Sequence, residues 1–436
     1  MSEKEDFTEE VSEPQEDGSG VTIEDFVAYM PQHVYIFTPC REVWPAASIN
    51  ARIGKVKQTA ASTWLDQNKP VEQMTWAPGY PMLIRDRLVV SGGWIEREGV
   101  TCFNLYRPPR IQLGDASKAS PWLDHIHKIY PDDADHIIKY LAHRVQRPGE
   151  KINHALVLGG GQGIGKDTLL EPVKHAVGPW NFQDIIPSQL LGRFNSFAKA
   201  TVLRINEAHD QGDAERFNRF NLYERIKLYS ANPPDVLRVD EKYLKEYYVF
   251  NCLGLIITTN HKTDGIYLPA DDRRHYVAWS NHTKEQFTPN NWNTLWDWYY
   301  NGGFEHVAAY LAELHISSFD FKAPPPKTPA FWDIVNAGTP QEDGELADVI
   351  EALGTPNVVT IKQLTAAATG STAEWLMDRK NRRAFPHKLE RCGYVAVKNP
   401  ERDDGLWKLN GQRQVVYAKA NLSNSEAVRA ASRHSS

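Results

Sequence analysis

The sequence has 436 residues, of which 41% are hydrophobic and 24% are charged, a composition typical of a globular protein. No run approaches the roughly 18 apolar residues that a bilayer span needs, so we expect no membrane-spanning segment. The acidic N-terminus is unlike a signal peptide, which predicts a cytoplasmic location. The four cysteines are scattered singly and favour neither a disulfide framework nor a zinc cluster.

The net charge of −6 is unevenly distributed along the chain. Residues 1–17 carry eight acids against one lysine, a charge of −7 that leaves +1 for the rest of the chain. Global charge therefore neither favours nor excludes a nucleic-acid partner, because only local patches contact phosphate.

In chain order, the sequence predicts a mixed α/β protein of several parts. Residues 1–20 are expected to be a disordered acidic tail, and residues 21–117, with short apolar runs between turns, a mixed α+β accessory or collar region. Residues 118–310 begin with a helical pattern and continue with alternating strands and helices, which is typical of a parallel sheet. A proline-rich linker, a winged-helix-like domain and a second disordered tail complete the chain, at residues 311–335, 336–420 and 421–436.

Four apolar segments are candidate strands of the parallel sheet: HALVL, ATVLRI, LGLIITT and RHYVAW. A Trp-rich stretch, NWNTLWDWYY, follows them as a candidate helix. In the tail domain, Thr360 and Gln363 form a capping box that predicts a helix start. The strands YVAVKN and LWKLN are expected to pair across the turn PERDDG, with QVVYAK as a third candidate.

A glycine-rich loop lies between the first strand candidate and a helix start, in HALVLGGGQGIGKDTLLEPV. Glycines let backbone N–H groups approach a polyphosphate closely, and the lysine of such a loop reaches the β- and γ-phosphates. The strand before the loop and the helix after it favour this function over a glycine-rich turn without a ligand. The predicted ATP-binding residues are Gly160, Gly161, Gln162, Gly163, Ile164, Gly165, Lys166, Asp167 and Thr168.

The magnesium ligands expected beside this loop are Asp167, Thr168, Asn206 and Glu207, and they depart from the usual pattern. Asp167 stands where Ser or Thr is usual, and Asn206 stands where an acid is usual. Asp167 is therefore expected either to bind Mg²⁺ and replace the missing carboxylate, or to turn away and leave the metal to Thr168. Glu207, at the end of the second strand candidate, is predicted to polarise the attacking water.

Two further signals follow later in the sequence. Asn260 ends the third strand candidate, where an amide can orient the lytic water and sense the γ-phosphate. Arg273 and Arg274 precede the fourth candidate, and either fits an arginine finger that completes a neighbouring subunit's site. A surface salt bridge with Asp271 or Asp272 is the alternative for each arginine.

The ordered motifs GGGQGIGKDT, VLRINE, VLRVDEKYLKEYYVF, IITTN and DDRRHYV resemble the helicase core of superfamily 3 AAA+ ATPases, above all that of phage and plasmid primase-helicases of the poxvirus type. The resemblance implies a P-loop AAA+ core that assembles into a hexameric ring and couples ATP hydrolysis to movement on single-stranded and forked DNA. It also implies a hairpin lysine in the ring channel, for which Lys242 is the better match and Lys245 the lesser one. Priming is then left to a separate primase or polymerase, in the cytoplasm of a bacterial host.

Two groups of side chains complete the sequence-based expectations. Basic residues cluster on the candidate recognition helix of the winged-helix domain, where DNA-backbone binding is favoured over a merely solvated face: Arg379, Lys380, Arg382 and Arg383. Four histidines before the loop are expected to be ordinary surface residues: His125, His127, His136 and His143.

Two other functions share part of this pattern. A DNA-binding initiator or loader ATPase would have every motif but would not unwind DNA processively. A P-loop kinase for a small molecule would have the loop, but it predicts neither the sensor asparagine nor a winged tail, and DNA would not stimulate its ATPase.

Overall fold

The structure is a computed structural model that describes residues 20–206, 219–262, 265–337, 341–369, 373, 376–377, 385–402, 404–409 and 411–435. Residues 1–19 of the expected acidic tail lie outside this set. The chain divides into two compact units, Met1–Ile334 and Val335–Ser436, which are described separately below. None of the described helices has the length and apolar character that crossing a lipid bilayer requires.

The N-terminal part of the first unit combines short strands with two helices. Its strands are β1 (Phe26–Tyr29), β2 (Val34–Phe37), β3 (Glu42–Pro45), β4 (Lys55–Val56), β5 (Thr59–Ala60), β6 (Pro70–Val71), β7 (Gln73–Thr75), β8 (Leu83–Val90) and β9 (Gly93–Asn104). Its helices are α1 (Ala46–Ile53) and α2 (Ala61–Asn68).

Two small sheets organise this N-terminal part. One has the order β3-β2-β1-β6, with β1 antiparallel to β2 and parallel to β6. The other has the order β7-β9-β8, in which β8 and β9 form an antiparallel hairpin. Phe26, Tyr35 and Ile49 are buried where α1 and α2 cover the first sheet. The region therefore has an apolar core of its own, which a mixed α+β region requires.

The rest of the first unit contains the longer elements. Its strands are β10 (Ala155–Gly160), β11 (Phe182–Ile185), β12 (Val202–Ile205), β13 (Val236–Val239), β14 (Tyr247–Phe250), β15 (Gly254–Thr259) and β16 (His275–Ser280). Its helices are α3 (Ser120–Ile129), α4 (Ala134–Gln146), α5 (Lys166–Val177), α6 (Pro187–Leu191), α7 (Arg219–Ser230), α8 (Pro289–Trp298), α9 (Phe304–Glu313) and α10 (Pro329–Ala337).

A five-stranded parallel sheet lies at the centre of this part, with the order β11-β12-β15-β10-β16. Every residue of β10 and β15 is buried, as expected for parallel strands that are covered on both faces. The four predicted strands are confirmed as β10, β12, β15 and β16, whereas β11 was not predicted. Because all five strands run in the same direction, their carboxyl ends meet along one edge of the sheet.

The segment expected to be a proline-rich linker, residues 311–335, packs against the core at its beginning. Ile316 and Phe319 are buried in the apolar core that α3, α4, α5 and α9 share with the sheet. The Gln146 amide donates to the carbonyl oxygens of Leu311 and Leu314 at 2.7 and 2.8 Å. The prolines mark a turn-rich connection, but the apolar residues before them belong to the fold.

The second unit contains four described helices and five strands. The strands are β17 (Val358–Thr360), β18 (Tyr394–Val397), β19 (Trp407–Leu409), β20 (Gln412–Gln414) and β21 (Val416–Lys419). The helices are α11 (Gln341–Ala352), α12 (Ile361–Ala367), α13 (Phe385–Arg391) and α14 (Asn424–Ser435). The predicted capping box is confirmed at the start of α12, where the Gln363 N–H donates to Thr360 Oγ1 at 3.3 Å.

Two expectations for this second unit are wrong. The strand β18 does not pair with β19; it pairs with β21, while β19 pairs with β20. The reason is that β21 is largely buried and takes the centre of the sheet between β17 and β18. The expected disordered tail at residues 421–436 is, over its described residues 421–435, mostly the helix α14, which buries Ala427 and Ala431 against a cluster that contains Trp407. The four-residue spacing of these two alanines fits a helix, but two small side chains are a weak sequence signal for an amphipathic helix.

Three of the four histidines expected at the surface pack into the first unit. His125 and His143 are buried. His136 stacks on Tyr276 with ring centroids 3.6 Å apart, and its Nε2 lies 3.0 Å from Nε2 of the buried His154. Burial lowers the pKa of His136 to about 4 and that of His143 to about 3, and it also lowers the pKa of His154. These imidazoles are therefore neutral in the folded protein at neutral pH.

The histidine cluster predicts a loss of stability in acid. The unfolded chain binds a proton at each imidazole near pH 6.5, while in the folded protein the pKa of His136 is lowered to about 4, that of His143 to about 3, and that of His154 is lowered as well. The stability that these histidines contribute is therefore complete above about pH 6.5 and falls as the pH drops towards the folded pKa values. Each histidine is expected to contribute up to about 1.4 kcal/mol per pH unit. Urea unfolding between pH 7 and pH 5 measures this slope.

The matched variants for this prediction are His154→Gln and His127→Gln. The first is expected to flatten the pH dependence by about one proton, and the second, at an exposed position, to leave it unchanged. If the free energy of unfolding had the same pH slope in both variants and in the native chain, the loss of stability in acid could not be assigned to His154.

Candidate functional site

The carboxyl edge of the parallel sheet borders a cavity of about 340 Å³. The residues around it come from the glycine-rich loop, the start of α5, the ends of β12 and β15, and one face of α8: Gln162, Gly163, Gly165, Lys166, Asp167, Thr168, Asn206, Thr258, Thr259, Asn260, Trp292 and Trp296. This is the position where α/β sheets bind ligands. The structure therefore brings together most of the predicted nucleotide and metal residues.

The loop between β10 and α5 has a conformation that requires glycine at its end. Gly165 has φ +88° and directly precedes α5. A Cβ atom on Gly165 would lie 2.6 Å from His125 Nε2 and 2.7 Å from Trp292 Cη2, closer than packed side chains approach. The buried Ile164 side chain anchors the loop in the core. The glycine therefore gives both the left-handed turn and the close approach of α3 and α8.

Lys166 is 8% exposed and begins α5. Its Nζ donates to the carbonyl oxygens of Gly160 and Gly161, both at 2.8 Å, and to Oδ1 of Asn260 at 2.7 Å. Burial lowers the pKa of Lys166 to about 8, although the nearby Asp167 charge opposes this shift. The three acceptors are neutral, so the ammonium keeps its charge available for an anion in the cavity.

Three of the four residues expected to bind magnesium, Asp167, Thr168 and Asn206, line the same cavity as Lys166. Asp167 is 73% exposed in its side chain, and its Oδ1 accepts a hydrogen bond from Arg204 at 2.7 Å. Arg204 also pairs with Asp184 on the neighbouring strand β11. Asn206 Oδ1 accepts from the Thr258 hydroxyl at 2.8 Å. Carboxylate, hydroxyl and amide oxygens fit a hard cation.

Arg273 and Arg274 lie at the opposite edge of the sheet. They precede His275, which pairs with Ala155 at the start of β10, whereas the loop begins at the other end of that strand, about 16 Å away. Asp272, one candidate salt-bridge partner, instead accepts from Tyr223, His275 and the Arg274 backbone N–H. Within the described part of the chain, neither guanidinium forms an ion pair. Neither arginine reaches the cavity of its own chain.

Lys242 and Lys245 lie in the loop that joins β13 to β14, and both are exposed. Tyr243, between them, is 94% exposed. The hairpin is therefore confirmed as a structural element, and neither lysine is part of the cavity lining. Glu207 and the basic residues Arg379, Lys380, Arg382 and Arg383 lie outside the described residues, so their roles stay predictions.

The hairpin is attached to the N-terminal sheets. The side-chain amide of Gln32 accepts from the Lys245 N–H at 2.9 Å and donates to the Tyr243 carbonyl oxygen at 3.4 Å. The Thr75 hydroxyl donates to the Tyr248 carbonyl oxygen at 2.9 Å. These hydrogen bonds hold the tip and one strand of the hairpin against residues that precede them by more than 170 positions.

The residues of the site that were not predicted include His125, Arg204, Trp292 and Trp296. His125 Nε2 lies 3.1 Å from the Gly165 carbonyl oxygen, and Arg204 pairs with Asp167. The two tryptophans had a usable signal, because residues four apart in a helix share one face. The contact of α3 and α8 with the loop had no local signal in the sequence.

The fold is similar to solved structures of the C-terminal region of NrS-1. The apo structure of its residues 305–718 has a TM-score of 0.59 at 16% identity and covers 90% of this chain and 95% of that chain. Two A-form apo structures of the same region have TM-scores of 0.57 and 0.58, also at 16% identity, and each covers 90% of this chain and 96% of that chain. A model of a family of unknown function, DUF5906, matches residues 158–274. No curated protein matches.

The conformation of the loop predicts that Gly165→Ala is destabilising. The new methyl group would stand at positive φ against His125 and Trp292, which we expect to lower the free energy of unfolding by about 1–3 kcal/mol. Urea unfolding measures the change. The control is Gly92→Ala, where a methyl group meets nothing within 4 Å and which is expected to cost less than about 0.5 kcal/mol. Equal effects of the two substitutions would contradict the assigned packing.

Proposed function

We propose that the protein is an ATP-driven, ring-forming DNA helicase of the superfamily 3 type that acts in the replication of a phage or related mobile element. The observation that carries the proposal is a buried lysine with neutral acceptors, Lys166, in a glycine-rich loop at the carboxyl edge of a parallel sheet. The fold likeness to the NrS-1 C-terminal region supports it, since that likeness covers 90% of this chain.

In this proposal the loop binds the triphosphate of ATP. Lys166 and the backbone N–H groups around Gly163 contact the phosphates. Mg²⁺ would neutralise charge at the phosphates, and Thr168 and Asn206, which line the cavity, would hold it, since Asp167 is paired with Arg204. Arg204 offsets the negative charge of Asp167, which would otherwise repel the triphosphate.

Asn260 couples the loop to the water that attacks. Its Oδ1 accepts a hydrogen bond from the Lys166 ammonium, so a phosphate oxygen that takes over this hydrogen bond leaves the amide free to orient water. Glu207 follows Asn206 at the end of β12 and polarises that water. One lysine thus links phosphate binding to the position of the sensor asparagine.

The placement of the arginines supports sites that are shared between subunits. Arg273 and Arg274 lie at the amino edge of the sheet, so each can contact phosphate only in another subunit's cavity. Repetition of that head-to-tail contact closes a ring, for which we propose six subunits.

DNA is contacted at two places in this proposal. Lys242, exposed at the hairpin tip, contacts the DNA backbone in the ring channel, and Lys245, the lesser match to the channel lysine of superfamily 3, has the lesser role. The second unit acts as a winged-helix domain, with DNA contacted by Arg379, Lys380, Arg382 and Arg383. A separate primase or polymerase makes the primer, and the protein works in the cytoplasm of a bacterial host.

The proposal predicts separate effects of two lysines on ATP hydrolysis. Lys166→Ala is expected to lower the rate by at least about a hundredfold, because it removes the cation at the phosphates. Lys242→Ala is expected to keep basal hydrolysis and to lose most of the stimulation by single-stranded DNA. Phosphate release with and without single-stranded DNA measures both effects, and Lys55→Ala, at an exposed lysine of β4, is the control.

The outcomes separate the candidate functions. Hydrolysis that does not depend on Lys166 contradicts the ATP site. Hydrolysis that requires Lys166 and responds to DNA, without strand displacement on a forked duplex, indicates an initiator or loader ATPase. Phosphorylation of a small molecule with no response to DNA indicates a kinase.

The shared site predicts recovery of activity when two inactive variants are mixed. Arg273→Ala subunits keep the cavity, and Lys166→Ala subunits keep the arginine, so some sites in a mixed ring are complete. Random mixing in equal amounts is expected to restore up to about a quarter of the native rate of ATP hydrolysis. The same mixture made with Arg274→Ala identifies which arginine acts. Mixtures as inactive as their components would contradict sites shared between subunits.

A further inference from the structure

Two tryptophans of α8 face the cavity that contains Lys166. Trp292 and Trp296 are four residues apart and lie on the same side of the helix. The helix starts just before them, where Thr288 caps it and Pro289 takes the first position, so the start of the helix is fixed. The two indoles therefore form one aromatic wall of the cavity.

The position of Trp292 is fixed by its neighbours. Its ring stacks on Phe287 with centroids 5.1 Å apart and an interplanar angle of 20°. It meets the His125 ring edge-on at 5.7 Å, and its Cη2 lies against Gly165. Trp296 stacks on Tyr300 at 5.7 Å. A platform that is ordered in this way by protein contacts loses little conformational freedom when a ligand binds.

The described lining of the cavity combines two chemically different groups of side chains. Hydrogen-bonding side chains of the loop and the strand ends, among them Lys166, Thr168 and Asn260, form one group. The contribution of α8 is aromatic surface. A nucleoside triphosphate has the same division, because a polyanion is joined to a flat aromatic base.

We propose that Trp292 and Trp296 form the nucleobase end of the cavity and hold the base by stacking, without reading its hydrogen-bonding edge. This inference rests on the proposed function of the loop as a triphosphate site. Every base has a π-face, so stacking binds purines with little regard to their exocyclic groups. The site is therefore selective for a nucleoside triphosphate over a bare polyphosphate but only weakly selective between adenine and guanine.

The test compares three probes by titration calorimetry in the presence of Mg²⁺. The probes are the non-hydrolysable analogues of ATP and of GTP, in which nitrogen replaces the β,γ-bridging oxygen, and inorganic tripolyphosphate. Trp292→Leu and Trp296→Leu keep apolar bulk but remove the indole. The control variant is Trp332→Leu, which removes a tryptophan from α10 that is not part of the cavity lining.

Each cavity variant is expected to weaken binding of the ATP analogue by about tenfold and to change tripolyphosphate binding by less than about twofold. The native chain is expected to bind the ATP and GTP analogues within about tenfold of each other, and Trp332→Leu is expected to bind all three probes as the native chain does. Parallel losses for the ATP analogue and tripolyphosphate would overturn the proposal, because they would show that the tryptophans support the loop.

Two other results would also overturn the proposal. Unchanged affinity of both cavity variants for the ATP analogue would place the base elsewhere, and a preference for adenine above about a hundredfold would show that the base edge is read. In each of these cases, binding of tripolyphosphate by the native chain would still support the proposed triphosphate site in the loop. A native chain that binds none of the three probes contradicts the proposed ATP site itself, so the two failures are distinguishable.

Discussion

The hydrogen bonds of the Lys166 ammonium are the interaction on which the site depends. A buried cation is stable only when its donors are satisfied, and here the acceptors come from the loop at Gly160 and Gly161 and from Asn260 at the end of β15. The lysine therefore fixes the loop relative to the neighbouring strand. Because β15 lies between β10 and β12 in the sheet, this link to β15 also brings the loop close to Asn206, which follows β12. The order of the strands thus determines which polar groups meet.

The elements with strong local patterns were predictable from the sequence. The strands β10, β12, β15 and β16 are apolar runs of the kind that doubly covered parallel strands require. The residues from Gly160 to Thr168 were predictable as a loop between a strand and a helix start because their motif is contiguous, and their nucleotide binding stays a prediction. The cap formed by Thr360 and Gln363 has the same local origin. In contrast, β11 reads FQDI, a short edge strand with polar residues, and it has no comparable signal.

The features that were missed depend on packing between distant parts of the chain. His125 and Trp292 meet at Gly165 because α3 and α8 fold against the loop, and no spacing in the sequence encodes that contact. The ion pair of Arg204 with Asp167 joins the end of one strand to the start of a helix that follows another. The pairing of β18 with β21 depends on which strand of the second unit is most buried. Glu207 lies outside the described residues, so its predicted role stays a prediction.

The bonds of Gln32 and Thr75 to the β13–β14 hairpin have a mechanical consequence. A hairpin held only at its base could bend independently of the rest of the unit when a force acts on its tip. Here the tip and the returning strand are bonded to residues of the N-terminal part, so a force applied at Lys242 would be shared with that part. In the proposed function, any movement of the hairpin would therefore displace the N-terminal sheets as well.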